Sequence, residues 1–355
     1  MRSGRGRQLL RAGLGGLVVS GAVVVLVRAF AGIDGRAVLA AVGRAGALAP
    51  LALAPFLAAM ALDAGGLRVV LGALGHPTRL SRLLPIRIAT EALHLTAPAG
   101  FVVADSATVA LLGAPSGVSV SEGAVLMVAR KWLVMRAHAA YILVGAACGA
   151  PLLAAASARL TGGGWLPWAV GGSALVPLVL SVGVGAGFRG LPAVARAQST
   201  LARLPWPALR ARVARWRSPA VVLDAHMARV GSARSVTWLA TASFLACWLL
   251  EALETAVILA LVGGPLDIAL ALAVEVGLSL LRSAGNVAPA GLGVQDAGYA
   301  TLLPAMGVPV ETTAAFVLLK RGKEIVWIAV GYALLAAMRR GEVARPADER
   351  TLAKA

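Results

Sequence analysis

Charged residues are scarce in this sequence. Asp, Glu, Lys and Arg make up 14% of its 355 residues, whereas hydrophobic residues make up 59%. A soluble domain carries about 25% charged residues, and the mean hydropathy here is +0.83. This composition excludes an ordinary soluble core. Because several uncharged runs approach the ~20 residues that a helix needs to cross a bilayer, we predict an all-α, polytopic membrane protein.

Cysteine and metal-ligating residues are equally few. The two cysteines, Cys148 and Cys247, lie within apolar runs, where a small buried hydrophobe is expected and a disulfide is not. Glu91 and His94 are one helical turn apart, but two ligands without further spacing support do not make a metal site. We therefore predict no metal and no cofactor.

Acidic residues are rarer than basic ones: 16 Asp and Glu stand against 33 Lys and Arg, a net charge of +17. Such an excess is typical of nucleic-acid-binding proteins, but here the cations lie between apolar runs. Positive charge in loops marks the cytoplasmic face of a membrane protein, where anionic lipids lie. The pattern predicts membrane lipids as partners, no nucleic acid, and a location in the cytoplasmic membrane.

The longest polar connection, residues 189–234, contains nine arginines and one acid, Asp224. With Trp206 and Trp216 as interfacial anchors, it is predicted to form two short amphipathic helices on the inner leaflet. Its arginines serve either as an orientation signal or for specific lipid recognition. The basic tail, 339–355, is also predicted to be cytoplasmic, as is the N-terminus.

The apolar runs predict about six full spans and two broken or re-entrant hairpins. The spans are residues 12–30, 45–74, 123–156, 165–188, 235–263 and 312–338, and the hairpins are 83–112 and 266–303. Pro, Gly, Asn and charged residues interrupt both hairpins. Residues 12–30 could instead be a secretory signal ending at Ala29-Phe30-Ala31, but the spans that follow favour an uncleaved helix.

A short motif occurs twice in the chain. Residues 97–105 reappear as 288–296, at an offset of 191 (289 − 98), which also pairs Arg130 with Arg321. Such self-similarity indicates a duplicated unit. Loop charge makes span 45–74 run inward and its counterpart 235–263 run outward, so the two copies are predicted to be inverted.

Inverted repeats with broken helices are typical of secondary transporters. The predicted organisation is an N-terminal membrane repeat (1–188), a basic interfacial loop (189–234), a C-terminal membrane repeat (235–338) and a tail (339–355).

Each copy of the motif combines a helix breaker, a flexible residue and a carboxylate. The residues are Pro98, Gly100 and Asp105, and then Pro289, Gly291 and Asp296. Pro and Gly leave backbone groups unpaired at membrane depth, which is tolerated only against protein or a wet cavity. The two aspartates either belong to a functional site or cap the half-helices that follow, and both roles are compatible.

Two basic clusters lie at corresponding depths of the two copies. They are Arg130-Lys131 and Lys320-Arg321-Gly322-Lys323-Glu324. Together they would suit a phosphate or another anionic headgroup, although Lys320 and Glu324, four residues apart, could neutralise each other. Glu251 or Glu254 could couple transport to protons or ions, or form an internal salt bridge.

Two runs near the C-terminal end carry a family resemblance. The run Asn286-Val287-Ala288-Pro289-Ala290-Gly291-Leu292-Gly293-Val294-Gln295-Asp296-Ala297-Gly298-Tyr299, followed by Leu319-Lys320-Arg321-Gly322-Lys323-Glu324, resembles the lysylphosphatidylglycerol synthase transmembrane-region, or flippase-like, family, and most of all its hopanoid-biosynthesis-associated branch. The resemblance implies a lipid-translocating membrane domain. It marks as important Asn286, Pro289, Gly291, Gly293, Asp296, Lys320, Arg321 and Glu324.

The sequence departs from the family pattern at two places. Asp296 stands where the family usually has Glu, and the first copy has Phe101-Val102-Val103-Ala104-Asp105 in place of a Gly-Gly-Asp-like run. Residues 339–355 are too short for the soluble aminoacyl-transfer domain of bifunctional members, so we expect no enzyme activity. The preferred function is transport of a hopanoid, isoprenoid-linked or anionic lipid. A scaffold or regulator of a lipid-modifying enzyme and a membrane-embedded headgroup enzyme are the alternatives.

Overall fold

A computed structural model describes residues 34–97, 99–203, 217–285 and 293–343, and this part of the chain contains helices and no strands. The predicted all-α class is therefore confirmed. The predicted span 12–30, the tail from 344 onward and the candidate residues Pro98, Asn286, Pro289 and Gly291 lie outside the described residues. So do Trp206 and Trp216 of the basic loop.

Fourteen α-helices follow one another along the described residues. In chain order, α1 to α14 are Gly35–Ala45, Ala54–Leu74, Leu80–Thr96, Gly100–Ser116, Val120–Cys148, Ala150–Thr161, Leu166–Ser173, Leu175–Phe188, Ala193–Leu201, Arg217–Ser232, Arg234–Leu261, Ile268–Gly285, Val294–Ala305 and Val310–Val343. A 3₁₀ helix, Gly46–Leu53, joins α1 to α2.

Three helical segments are long and apolar enough to cross a bilayer: Gly35–Leu74, Leu166–Phe188 and Arg234–Leu261. They contain, almost entirely, the predicted spans 45–74, 165–188 and 235–263. A fourth is added if α5 and α6 count as one span. Among the described residues, this supports a multi-pass membrane protein with three or four such spans, fewer than the six predicted from the whole sequence.

Two predicted spans differ from a plain apolar helix. Residues 123–156 do not form one straight helix, because the chain bends by 76° between α5 and α6. Pro151 stands in the first turn of α6, and the ring of a proline cannot continue a helix from the preceding turn. Residues 312–338 do lie within the single helix α14, but the charged cluster 320–324 interrupts its apolar sequence.

Each predicted hairpin contains two described helices. Residues 83–112 form α3 and α4, and residues 266–303 form α12 and α13. At 17 residues, α3 and α4 each extend about 25 Å, less than the ~30 Å hydrocarbon core. Ala99 between them has a φ of 52°. A Cβ at Gly100 would lie 2.0 Å from the carbonyl oxygen of His94, so only glycine fits this close approach.

The helix bounds repeat at the offset found in the sequence. Shifted by 191 (289 − 98), the bounds of α3, α4 and α5 become 271–287, 291–307 and 311–339, close to those of α12, α13 and α14. Each set also has its own apolar core. Leu71, Leu126 and Leu133 belong to one cluster of buried residues, and Ile258, Leu278 and Phe316 belong to another.

The two halves meet mainly where α2, which precedes the first set, packs against α11, which precedes the second, and these two helices run antiparallel. Gly66 of α2 lies against the ring of Phe244 near the start of α11. At the opposite end, Arg44 donates two hydrogen bonds to the carbonyl oxygen of Val262, at 3.1 and 2.8 Å. The outer contacts are reciprocal, since α14 packs against α3 and α5 packs against α12.

Two short helices occur in the described part of the basic loop, as predicted: α9 and α10. Asp224, the single acid of that loop, lies on α10. It accepts hydrogen bonds from the backbone N–H groups of Val194 and Ala195, each at 3.0 Å. The carboxylate thereby satisfies free donors at the start of α9 and fixes the two helices together.

Candidate functional site

A buried ion-pair cluster, which we call the arginine cluster, lies in the first half. Asp63 of α2 accepts hydrogen bonds at Oδ1 from Nε of Arg87 (α3) at 2.9 Å and from Nε of Arg130 (α5) at 3.1 Å. Arg130 also contacts Oδ2 through Nη2. One carboxylate therefore connects three helices through charge-assisted contacts with two arginines.

Arg87 also contacts Glu91, one of the two residues considered above as metal ligands. Arg87 Nη2 lies 3.3 Å from Glu91 Oε2, and Arg87 Nη1 donates to Thr90 Oγ1 at 2.8 Å. Glu91 thus belongs to the edge of the arginine cluster. Among the described residues, no group of three or more His, Cys, Asp or Glu could hold a metal ion.

The candidate residue Asp105 pairs with Lys131 of the predicted basic cluster, beside the arginine cluster, and this pair is less buried. Asp105 of α4 forms an ion pair with Lys131 of α5, whose side chain is 45% exposed. Asp105 does not cap α4, because the residue at the N-cap is Ala99. Its carboxylate pairs with a cation from the neighbouring helix instead.

A second buried network, which we call the lysine cluster, lies in the second half. Lys320 Nζ lies 3.1 Å from Glu275 Oε1 and 3.5 Å from Glu254 Oε1, and Lys323 Nζ lies 2.6 Å from Glu254 Oε1. The relative exposure of Glu275 is 0% and that of Lys320 is 5%. Three helices, α11, α12 and α14, therefore meet around two ammonium groups and two carboxylates.

Hydroxyl groups and aromatic rings complete the lysine cluster. Glu275 Oε1 accepts from Tyr299 OH at 2.6 Å, and Lys320 Nζ donates to Thr255 Oγ1 at 3.1 Å. Lys320 also lies 5.0 Å from the centre of the Tyr299 ring, and Lys323 lies 5.0 Å from that of Phe56. These contacts stabilise cations that have been removed from water.

Beside the lysine cluster, Asp296 and Arg321 form a bidentate pair. Arg321 Nε lies 2.8 Å from Oδ1 of Asp296, and Nη2 lies 2.9 Å from Oδ2. The third nitrogen, Nη1, contacts Glu324. Asp296 Oδ2 also accepts from the backbone N–H of Gly293 at 3.2 Å. Asp296 thus caps α13, which is one of its two predicted roles, and it also pairs with a cation.

The ion pair formed by Glu324 differs from the one expected. Glu324 does not neutralise Lys320, but pairs with Arg321, three residues before it. Lys320 points to α11 and α12 instead. The sequence analysis did not single out Arg87, which lies in no motif, or Tyr299, which ends the run that carries the family resemblance. The link between Asp63 and Glu254 was detectable, because 63 + 191 = 254.

Both cysteines are free thiols. Cys148 is exposed and Cys247 is intermediate, so the expectation that both are buried is wrong for Cys148 and only partly met by Cys247. Its position at the end of α5, next to the bend, accounts for the exposure.

The comparison with known families agrees with this architecture. The family described as the lysylphosphatidylglycerol synthase TM region matches residues 13–331. The chain belongs to this family. No curated protein and no solved structure matches it.

Membership in the lysylphosphatidylglycerol synthase TM-region family indicates a membrane protein involved in lipid handling. The match includes both buried clusters and the Asp296–Arg321 pair, since all of them lie before residue 331. The family description and the apolar helices agree on a multi-pass protein that works within a membrane.

Proposed function

We propose that this protein moves a lipid across or within the cytoplasmic membrane, with the two halves acting as inverted repeats. The observation that carries the proposal is an ion pair at a similar place in each half, although the two cations lie one position out of the repeat register, since Lys131 corresponds to Gly322 (131 + 191). Asp105–Lys131 and Asp296–Arg321 both join the helix after a break to the following long helix. The two carboxylates are related by the offset of 191 (296 − 105).

The antiparallel packing of α2 and α11 supports the inversion. These helices belong to corresponding positions of the two halves, yet they run in opposite directions. With reciprocal outer contacts, this is the arrangement expected around a pseudo-two-fold axis. An axis in the membrane plane would present equivalent breaks to opposite faces, as alternating access requires.

The substrate class follows from the exposure of the cations. Arg321 and Lys131 are only partly buried, whereas the lysine cluster is closed. A guanidinium that pairs with a carboxylate through two nitrogens can pair with a phosphate in the same geometry. An anionic headgroup could therefore exchange with Asp296. The lipid would be an anionic phospholipid, an isoprenoid-linked lipid or a hopanoid carrying an anionic group, with the apolar chain left in the bilayer.

The distribution of charge supports the orientation. The basic segment 189–234 is adjacent to the start of α11, and the cations of 339–355 begin in the last turns of α14. Both are placed on the cytoplasmic side by the positive-inside rule. The breaks between α3 and α4 and between α12 and α13 are proposed to be re-entrant.

Reconstitution in liposomes tests this function. Wild type should accelerate the crossing of a fluorescent anionic lipid, and Arg321→Ala should slow it at least tenfold, because the headgroup loses its bidentate partner. The matched control is Arg339→Ala, which changes an exposed arginine farther along α14. In this variant, lipid should cross the bilayer at the wild-type rate.

Two further outcomes would indicate a function other than lipid transport. Crossing that appears only with a co-purifying lipid-modifying enzyme would indicate a scaffold or regulator. Release of a cleaved or modified headgroup would indicate an enzyme, whereas we expect intact lipid. Equal crossing by Arg321→Ala and wild type would contradict the proposed site.

A further inference from the structure

The lysine cluster has no counterpart in the first half. Subtracting 191 from the positions of Thr255, Glu275, Lys320 and Lys323 gives Ala64, Leu84, Ala129 and Trp132. Ala64, Ala129 and Trp132 are buried in the first apolar core, and Leu84 packs against it. The duplicated scaffold therefore packs well with apolar side chains at the four positions where the second half buries three charged groups and one hydroxyl.

Stability does not require such a network. Taking charges out of water is costly, and replacing a buried ion pair by packed apolar residues is often neutral or stabilising. Glu254 alone has an acidic equivalent, Asp63. The other charged members were added to, or retained in, one half only. Buried ionisable residues within membrane helices are functional candidates on these grounds.

The two clusters differ in what their cations can do. Asp63 is held by two arginines, and guanidinium keeps its proton in proteins. Glu254 and Glu275 are held by lysines, which can lose a proton when buried. Only the lysine cluster, with the phenol of Tyr299 on Glu275, offers a chain of groups that can exchange protons.

The groups around Glu275 come from several helices. Lys320 and Lys323 are on α14, Tyr299 is on α13, and Glu254 is on α11. Glu251, one turn before Glu254, also acts electrostatically on Lys320. The other helix packed against α12 with titratable side chains in its middle is α5, which carries His138 and Tyr141. Protonation must be considered for this set as a whole.

We infer that the lysine cluster binds and releases a proton in each transport cycle, so that lipid movement is coupled to proton movement. This inference rests on the proposed function. A proton from water on one side forms an O–H bond with the Glu275 carboxylate, while Lys320 keeps its own proton and its contact with Glu254. The four charges of Glu254, Glu275, Lys320 and Lys323 then sum to +1 instead of zero.

That change of charge provides the coupling. Arg321 follows Lys320 directly on α14, so an added positive charge strengthens attraction for an anionic headgroup at the Asp296–Arg321 pair. Release of the proton from Glu275 to water on the other side restores the Glu275–Lys320 pair and weakens that attraction. The lipid is thereby held in one state and released in the other.

Liposomes with an imposed pH gradient test the inference. In wild type, a gradient should change the rate of anionic-lipid crossing several-fold, and a trapped pH dye should report proton flux that depends on the lipid. With Glu275→Gln, the rate of lipid crossing should be the same with and without a pH gradient. Asp267→Asn, the same change at an exposed position before α12, is the matched control and should respond like wild type.

Tyr299→Phe provides a second variant in case Glu275→Gln fails to fold. It removes one hydrogen bond to Glu275, and the response to the gradient should weaken while crossing persists. Crossing by wild type that is indifferent to pH gradients, or that follows a sodium gradient at constant pH, overturns the inference and leaves the proposed function standing. Absence of lipid crossing by wild type under every gradient overturns both.

Discussion

Two adjacent glycines in α2 allow a sharp test of the contact between the halves. A Cβ added to Gly66 would lie 2.7, 2.9 and 3.2 Å from three carbon atoms of the Phe244 ring, whereas a Cβ on Gly65 would meet nothing within 4 Å. Phe244 is 1% exposed, so its ring has no free space to enter. The two positions share helix, residue type and sequence context.

The expected effects have opposite signs. Gly65→Ala should stabilise the protein by about 0.5–1 kcal/mol, because alanine loses less backbone entropy in a helix. Gly66→Ala should destabilise it by about 1–3 kcal/mol, the usual cost of overpacking a core. The measurement is the free energy of unfolding in detergent, followed by circular dichroism as denaturant is added.

A double variant identifies the contact responsible. In a Phe244→Leu background, the penalty of Gly66→Ala should fall by about 0.5–3 kcal/mol, the coupling expected of residues in contact. If Gly66→Ala proved as stable as Gly65→Ala, or if its penalty were unchanged by Phe244→Leu, the antiparallel packing of α2 on α11 would be refuted, and with it the support for inverted halves.

Two other predictions concern the charged clusters and the topology. Asp63→Asn should lower the free energy of unfolding by about 3–5 kcal/mol, because two buried arginines lose their counter-charge. Asp105 is partly exposed, so Asp105→Asn should lower it by only about 0–1 kcal/mol. Equal losses for the two variants in unfolding experiments would contradict the burial of Asp63. Single cysteines replacing Pro77 and Ser232 should react with an impermeant thiol reagent from the same face of the membrane, since α2 ends where α11 begins. A cysteine replacing Leu266 should react from the other face, and labelling of all three from one face would contradict the antiparallel arrangement.

The sequence predicted those parts of the fold that depend on apolar runs and helix breakers. The breaks near Gly100 and Gly293 and the span in 235–263 follow from residue type and length alone. The bend between α5 and α6 was missed because Ala, Gly and Pro around position 150 are compatible with a continuous apolar run. Tertiary packing adds to the effect of Pro151 at this bend: a Cβ at Gly149 would lie 2.6 Å from the Cβ of Ala273, so only glycine allows this close approach to α12.

The sequence indicated which charged residues to consider for the candidate site, but not which carboxylate pairs with which cation. Asp105, Arg130, Asp296 and Arg321 were selected because they repeat in the chain. Which carboxylate meets which cation depends on how α2, α3, α11 and α12 pack, and this is a non-local property that no spacing rule encodes. Lys320 illustrates the point, since it bypasses Glu324 on its own helix for Glu275, 45 residues away.

The contact between Arg44 and Val262 restricts which parts of the molecule can rearrange. The guanidinium donates hydrogen bonds to a carbonyl oxygen at the end of α11, where the last carbonyl groups of a helix have no intrahelical donor. Each hydrogen bond from a charged group contributes about 1.5–3 kcal/mol, and the packing of the Phe244 ring against Gly66 holds the opposite end. We therefore expect α2 and α11 to behave as a stationary spine, around which the outer pairs α3 with α14 and α5 with α12 rock.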